Sequence, residues 1–443
     1  MKKAWAGGLI FLIFILFSGC CLFETEEPDT YKRGELVSQS EEVILLEGSQ
    51  IVDLMDDYLG EYLIGDFITI GSIPVLNLDE LTSQMIYDVK AYKITFKTIG
   101  ANDERTIQSG LVLLPVPVAN NTSREPLVAP ILSIQHGTIF SREESPSNLA
   151  ESGQTDNLEV YNACIAASMG YVVFMPDFSG FGVDDQTLHP FCHAKSIAYS
   201  VVDIIRAGKQ FLRSKTADYT WNNQLFIAGY SEGGFATMAA GKEIQTKHPD
   251  EFTITGLAPM SGPYNLSTVM KKIVTDGQEY THLDFLSYMI FAYNDVYPLF
   301  DSPDELFKQP YATTIPPLFD GEHSSDEIRA SLPNHGVGKA SDIFTQKLFT
   351  DLANDQSEVS KALKDNDLYN TWVPNLDHFP MFMFHSSTDE AVPVENSRTA
   401  KDYYDAHNGS ESVFYTELPT GKHVQSYLPA YALAYLWMGT LRE

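Results

Sequence analysis

From about residue 85 onward, hydrophobic and polar positions follow two patterns that alternate along the chain. Short apolar runs bounded by turn residues indicate strands, and apolar residues repeated every three or four positions indicate helices. Strands are predicted at residues 89–97, 107–114, 127–135, 171–175, 225–228, 254–259, 378–384 and 413–418. Helices are predicted at residues 157–169, 194–213, 235–246, 397–406 and 427–441. This alternation predicts an α/β fold with a mainly parallel central sheet flanked by helices.

The chain begins with the layout of an export signal. Two lysines precede an apolar run over residues 4–17, which is followed by the small residues Ser18 and Gly19. The run is too short to span a bilayer comfortably as a helix. The sequence FSGC at 17–20 resembles a bacterial lipobox, which implies that Cys20 becomes the lipid-modified N-terminus. A plain cleaved signal or a short anchor is the alternative interpretation.

Acidic residues dominate the charge of the chain. Its 443 residues include 59 Asp or Glu and 29 Lys or Arg, which leaves a formal charge of −30. Nucleic acid is excluded as a partner, because phosphate binding needs clustered positive charge and the sequence has no such cluster. Residues 22–66 hold thirteen acidic and two basic residues. We therefore predict a solvated tether there, followed by a short helix near residues 51–63.

Only two cysteines, Cys164 and Cys192, lie in the body of the chain. Export would permit a disulfide between them. Two separate buried thiols are the other interpretation, and the sequence leaves both open. No CxxC pair and no HExxH motif is present, so neither a metal nor a cofactor is predicted.

The most informative segment is GYSEGG at residues 229–234, a G-x-S-x-G motif between a predicted strand and a predicted helix. A serine on such a sharp turn projects above the sheet, and glycines two positions away on either side let the backbone fold tightly. The helix that follows directs its unpaired N–H groups at the same place. We predict that Ser231 is a nucleophile.

A nucleophilic serine needs a base, and the base needs an acid that orients it. Both are expected after the serine, in the order acid then histidine. Asp389 follows the predicted strand at 378–384, and His423 lies on the loop before the last helix. Glu390 is the rival acid because it is adjacent in sequence. His385 lies at a strand end too close to the acid to be the base.

Negative charge that develops on the substrate needs two N–H donors. The backbone amide of Glu232, directly after the nucleophile, is predicted to be the first donor. The segment HGT at 136–138 follows a predicted strand, and its glycine lets the backbone approach closely. We predict that the Thr138 amide is the second donor, with Ile139 as the fallback.

Together these segments resemble the α/β-hydrolase family. The matching segments are HGT at 136–138, PDFSGFG at 176–182, GYSEGG at 229–234, DEAVP at 389–393 and GKH at 421–423. Within that family the chain is similar to secretory lipases and related bacterial esterases, although Ser386 stands where a glycine is common. The resemblance implies ester hydrolysis through an acyl-enzyme, with Ser231 attacking, His423 transferring protons and Asp389 holding the imidazole.

The alternation of strands and helices stops after the predicted strand at 254–259, and the about 110 residues that follow do not continue it. A segment of this length is too long for a bare loop. We predict that they form a mostly helical cap inserted before the acid-bearing strand. Residues 280–319 contain ten Phe or Tyr, which either line an acyl pocket or form the cap's own core. The predicted segments are a signal peptide at 1–19, an acidic tether and helical segment at 20–84, a hydrolase core at 85–262 and 376–443, and the cap at 263–375.

The sequence thus predicts a serine-dependent carboxylic ester hydrolase that acts on a small-molecule or lipid ester. It predicts an exported protein held at a membrane by the lipid on Cys20, facing the periplasm or the cell surface, and no obligate protein partner. Two alternatives remain open: a serine peptidase on the same fold, and a non-catalytic surface lipoprotein, because a fold by itself does not decide between such functions.

Overall fold

A computed structural model describes residues 31–59, 63–64, 67–70, 73–117, 125–155, 157–375 and 379–443. The predicted signal peptide and Cys20 lie outside the described residues. Among the helices within these ranges, none is long and apolar enough to cross a membrane. Within Lys32–Glu443, the described residues form one compact unit.

The strands of the described chain lie mostly where short apolar runs predict them. They are β1 (Leu36–Leu46), β2 (Leu63–Ile64), β3 (Phe67–Ile70), β4 (Ile73–Asn77), β5 (Tyr87–Ile99), β6 (Arg105–Pro117), β7 (Leu127–Gln135), β8 (Val172–Pro176), β9 (Tyr219–Tyr230), β10 (Gly256–Met260), β11 (Glu279–Tyr280), β12 (Gly338–Lys339), β13 (Met381–Ser386) and β14 (Val413–Leu418).

Nine of these strands form the central sheet, in the order β1-β5-β6-β8-β7-β9-β10-β13-β14. The pairs from β8 to β14 are parallel, whereas the pairs from β1 to β8 are antiparallel. Strands β8, β10 and β13 are buried along their whole length, as expected for parallel strands covered on both faces. The predicted α/β fold with a mainly parallel sheet is confirmed.

The described helices connect and cover these strands. They are α1 (Gly48–Leu59), α2 (Leu78–Thr82), α3 (Pro146–Glu151), α4 (Leu158–Ser168), α5 (Ala194–Arg213), α6 (Glu232–Lys247), α7 (Lys271–Thr275), α8 (Leu283–Val296), α9 (Tyr311–Thr314), α10 (Ser325–Ala330), α11 (Ala340–Ile343), α12 (Gln346–Ala353), α13 (Glu358–Asp365), α14 (Glu395–Ala406) and α15 (Tyr427–Gly439).

Two clusters of buried residues lie on the two faces of the sheet, because successive side chains of a strand point to opposite faces. Helices α5, α6 and α14 contribute to one cluster, and α4 and α15 contribute to the other. Cys192 belongs to the first cluster and Cys164 to the second. Both thiols are buried and free, so the structure supports two separate thiols rather than a disulfide.

The N-terminal segment departs from its prediction. Residues Leu36–Leu46 form β1, which pairs antiparallel with β5, so the predicted solvated tether over 22–66 is wrong for this part. Strand β1 ends the row of strands and is therefore an edge strand. Charged residues such as Glu41 and Glu42 suit an edge strand, where they stay in water and discourage pairing with other chains. The predicted helix near 51–63 is present as α1.

Between β10 and β13 the described residues form seven helices, α7 to α13, and a small two-stranded sheet of β11 and β12. Helix α8 is the longest, with 14 residues. Rings of this segment stack on one another, as Phe291 does on Phe307 with centroids 4.6 Å apart. Rings of the insertion therefore pack on one another, as part of the same cluster that covers one face of the sheet, while the cap boundaries at 263 and 375 stay predictions.

Candidate active site

Ser231 lies on the turn between β9 and α6, with φ of +60° and ψ of −122°. A positive φ is uncommon for a residue with a side chain and is found where a site demands it. A Cβ added to Gly229 would lie 2.1 Å from the Gly233 carbonyl oxygen, and one added to Gly233 would lie 2.1 Å from the Gln135 carbonyl oxygen. The two glycines of the motif are therefore required by close approach of backbone to backbone.

The predicted serine, histidine and aspartate come together at the carboxyl ends of the parallel strands. The Ser231 hydroxyl donates to His423 Nε2 at 2.8 Å. The other ring nitrogen, Nδ1, donates to Asp389 Oδ2 at 2.6 Å. Asp389 and His423 are buried, whereas Ser231 is half-buried and can be reached by a substrate. This is the hydrogen-bonded order that nucleophilic acyl transfer requires.

The surroundings of Asp389 favour its ionised form. Its second oxygen accepts hydrogen bonds from the backbone amides of Ala391 at 3.0 Å and Val392 at 2.8 Å. His385 Nε2 lies 3.4 Å from the oxygen that holds His423. Burial opposes ionisation, but the charge of His423 and hydrogen bonds from both histidines hold the pKa of Asp389 well below its ordinary value.

The loop that carries His423 is held at several points. The backbone amide of His423 donates to Glu390 Oε2 at 3.0 Å, and its carbonyl accepts from the Tyr230 hydroxyl at 2.8 Å. The Ser386 hydroxyl donates to the Gly421 carbonyl at 2.5 Å. The serine that replaces the family's common glycine thus joins the acid loop to the base loop, and the rival acid Glu390 holds the main chain instead of the ring.

The segment predicted to supply the second oxyanion donor lies beside the nucleophile turn. Gln135, at the end of β7, pairs with Gly229 of β9 in parallel, so residues 136–138 leave the sheet next to Ser231. The Gly137 amide donates to the Glu159 carboxylate at 2.8 Å and is therefore turned away from a substrate. The Thr138 amide remains the predicted second donor.

The buried side chains of Glu232 and His189 lie next to each other, and the sequence predicted a role for the backbone amide of Glu232 but for neither side chain. Glu232 Oε1 and His189 Nε2 share a hydrogen bond of 2.8 Å, and His189 Nδ1 donates to the Ser179 carbonyl at 2.8 Å. The ring thus joins the side chain that follows the nucleophile to the turn after β8. No sequence motif links these positions, since the contacts join separate segments.

Asp177 and His136 serve the packing of the neighbouring turns. The Asp177 carboxylate accepts from the hydroxyls of Ser109 and Ser147, each at 2.5 Å. His136 approaches Asp177 only at its backbone carbonyl, at 3.3 Å. In the described part of the chain, no group of three or more His, Cys, Asp or Glu converges as metal ligands would.

A cavity of about 180 Å³ opens between the insertion and the segment that follows Thr138. Its lining includes Phe140, His189, Tyr288 and Phe319. Tyr288 stacks on Phe319 with centroids 4.9 Å apart, and the Phe140 ring lies 4.8 Å from the Tyr288 ring. The aromatic residues of the insertion are therefore divided, with some packed only in the hydrophobic core and others also on a cavity wall.

The chain is similar in sequence to known lipases. The sequence profile of the secretory lipase family matches residues 145–440. The secreted triacylglycerol lipase LIP4 of Malassezia furfur is 23% identical over 336 residues, which are 74% of this chain and 58% of that protein. The chain thus spans less than two thirds of the length of this relative.

Two solved structures share the fold. The rice cell wall degrading esterase LipA of Xanthomonas oryzae matches with a TM-score of 0.75 and 23% identity, over 93% of this chain and 100% of that one. Candida antarctica lipase A matches with a TM-score of 0.60 and 15% identity, over 89% of this chain and 78% of that one. At such identities the likeness demonstrates a shared fold alone.

Proposed function

The chain belongs to the secretory lipase family, and we propose that it is a serine-dependent carboxylic ester hydrolase that works through an acyl-enzyme. The observation that carries this proposal is the pair of hydrogen bonds that His423 makes, 2.8 Å to Ser231 and 2.6 Å to Asp389. These two hydrogen bonds join three loops that are distant in sequence. Ser231 itself lies on a turn, where its φ of +60° exposes the serine. This arrangement suits a serine activated by a general base.

In the proposed reaction, Ser231 Oγ attacks the ester carbonyl carbon while His423 Nε2 takes the hydroxyl proton. Asp389 stabilises the imidazolium that forms and keeps its tautomer. The amides of Glu232 and Thr138 donate to the oxyanion, and each such donor contributes roughly 10²–10³ in rate. His423 then gives the proton to the departing alcohol oxygen, and water attacks the acyl-enzyme by the same steps in reverse order.

We propose esters with an apolar acyl group, including lipid esters, as the substrate class. The relative in Malassezia furfur is named a triacylglycerol lipase. Phe140, two residues beyond the proposed oxyanion donor Thr138, forms an aromatic wall with Tyr288 of α8, and burial of an apolar chain against such rings is favourable.

Export of the protein is consistent with its secretory family, and we further propose that a lipid on Cys20 anchors it to a membrane. The support is the lipobox-like FSGC at 17–20 after an apolar run. Mass spectrometry of the mature N-terminus tests this, with a diacylated Cys20 as the expected result. An unmodified N-terminus at another position would disprove the anchor.

The enzymatic proposal is tested with p-nitrophenyl esters of increasing acyl length on the wild type and on Ser231→Ala. We expect hydrolysis by the wild type and a loss of at least about 10⁴-fold in kcat for Ser231→Ala. Ser83→Ala, at an exposed serine that ends α2, is the matched control and should keep full activity.

An inactive wild type would overturn the proposed activity, and activity retained in Ser231→Ala would overturn the site. Peptide p-nitroanilides, assayed in parallel, distinguish the peptidase alternative. Faster cleavage of the anilides than of the esters would favour a peptidase.

A further inference from the structure

We infer that Glu159 is a positioning residue that holds the oxyanion segment in place, an inference that rests on the proposed function. Glu159 lies in the first turn of α4. One carboxylate oxygen accepts from the Gly137 amide at 2.8 Å, and the other accepts from the Tyr427 hydroxyl at 2.6 Å. Each oxygen therefore binds a donor from a different segment of the chain.

The first contact bears directly on the proposed donor Thr138. The amides of Gly137 and Thr138 belong to successive peptide units, and the torsions between them are those of a glycine. Glycine has the widest conformational freedom of any residue, so this backbone needs an outside partner to hold one orientation. With its amide bonded to Glu159, Gly137 leaves the next amide free to face a substrate.

The space around Gly137 also indicates that Glu159 holds this segment in place. A Cβ added to Gly137 would lie 3.1 Å from Glu159 Oε1 and 3.9 Å from the Tyr230 carbonyl oxygen. The segment is therefore enclosed between the carboxylate and the end of β9, one residue before Ser231. Movement of Glu159 would change the distance from the Thr138 amide to the reacting carbonyl.

The second contact, from the Tyr427 hydroxyl to Glu159, connects the oxyanion segment to the segment that carries the base His423. Tyr427 begins α15, four positions after His423, and its ring packs against Tyr230 with centroids 5.4 Å apart. Tyr230 in turn donates to the His423 carbonyl at 2.8 Å. Glu159 thus links the oxyanion segment to the segment that carries the base, and such positioning matters because a 1 Å displacement costs about 10²-fold in rate.

The experiment compares Glu159→Ala, Glu159→Gln and Tyr427→Phe with the wild type, all as the full chain. The alanine removes both contacts. The glutamine is the conservative variant, since its amide oxygen still accepts from Gly137 and its NH₂ can donate to the Tyr427 oxygen. Glu143→Ala is the matched control, because Glu143 is exposed on the segment just after the oxyanion loop.

The concentration of active sites is measured by the amplitude of p-nitrophenol release from a p-nitrophenyl phosphonate. Each rate constant is then expressed per active site, so misfolded protein does not contribute to it. For Glu159→Ala we expect kcat per titrated site to fall about 10- to 100-fold, with KM within about twofold of the wild type. The inhibition constant of a trifluoromethyl ketone, whose adduct bears the oxyanion, should rise by a similar factor. Glu159→Gln should recover most of the loss.

A purely structural role would reduce the number of titrated sites and leave kcat per site and ketone affinity unchanged, and that result would overturn the inference. A loss expressed mainly in KM would also overturn it. If Glu159→Ala yields no titratable sites, Tyr427→Phe is judged by the same criteria, with a smaller loss expected, while Glu159→Gln should stay close to the wild type. A wild type that fails to react with the phosphonate would instead disprove the proposed function.

Discussion

The backbone amide of His423 donates to the Glu390 carboxylate at 3.0 Å, while the ring of the same histidine is held by the adjacent Asp389. Two neighbouring acids therefore bind one histidine, one at the main chain and the other at the ring. Both contacts contribute to the position of the imidazole, but only the contact with Asp389 can stabilise the charge that the ring acquires.

Replacement of the two acids should therefore have unequal effects. We expect Asp389→Asn to lower kcat about 10⁴-fold, because the amide favours the wrong imidazole tautomer. Glu390→Gln, the matched control, should lose less than about tenfold, since its amide oxygen can still accept from the His423 backbone amide. Steady-state kinetics with p-nitrophenyl butyrate measure both variants. A larger loss for Glu390→Gln would show that the acid is misassigned.

Gly233 should tolerate no side chain. A Cβ there would lie 2.1 Å from the Gln135 carbonyl oxygen and 2.9 Å from that of His136, and both are backbone atoms. We expect Gly233→Ala to reduce the free energy of unfolding by at least about 2 kcal/mol. Gly439→Ala, at an exposed helix end where a Cβ would come no closer than 3.9 Å to Gln84 Oε1, should change it by less than about 1 kcal/mol. Urea unfolding of both variants checks this, and equal stability would contradict the close approach.

Asp284 should make the stability of the protein depend on pH. Its carboxylate is fully buried near the start of α8, with His282 Nδ1 3.8 Å from one of its oxygens. Burial raises the pKa of Asp284 from 3.8 to about 6, against the opposing charge of Arg329. The native state then binds more protons than the unfolded state between these values, so stability falls as pH rises from about 4 to 6.

Asp284→Asn removes that penalty. We expect the variant to be more stable than the wild type by roughly 1–3 kcal/mol at pH 8 and about equally stable at pH 4. Asp295→Asn, on the exposed side of the same helix, should show no such pH-dependent difference. Urea unfolding at the two pH values measures the difference in stability between Asp284→Asn and the wild type. A difference that stays constant across pH would refute the raised pKa of Asp284.

The two body cysteines should be unreactive in the native protein. Burial raises the pKa of Cys164 to about 12 and that of Cys192 well above its ordinary value. Since the thiolate is the reactive form, Ellman's reagent should label neither residue until the chain is unfolded in guanidinium. Peptide mapping identifies the labelled sites. A Cys164–Cys192 peptide recovered under non-reducing conditions would contradict the placement of these residues on opposite faces of the sheet.

Much of the fold follows from local pattern. Strands β7 and β14 and helix α5 begin and end at the residues predicted from sequence, because apolar runs with abrupt polar or glycine boundaries limit where an element can extend. Strand β1 was missed, since an edge strand with exposed residues such as Glu41 and Glu42 has the composition of a tether. Its pairing with β5 depends on a partner that lies far away in sequence.

The sequence by itself determined the fold class, the strained turn at Ser231 and the order of the candidate acid and base, because each depends on residues within one short segment or on strand order. Only the tertiary structure decided which acid faces the ring and which holds the main chain, and that Glu159 joins the oxyanion segment to Tyr427, 268 positions away. Such contacts arise where separate strand ends meet at one edge of the sheet, and no local pattern of residues encodes the distance between them.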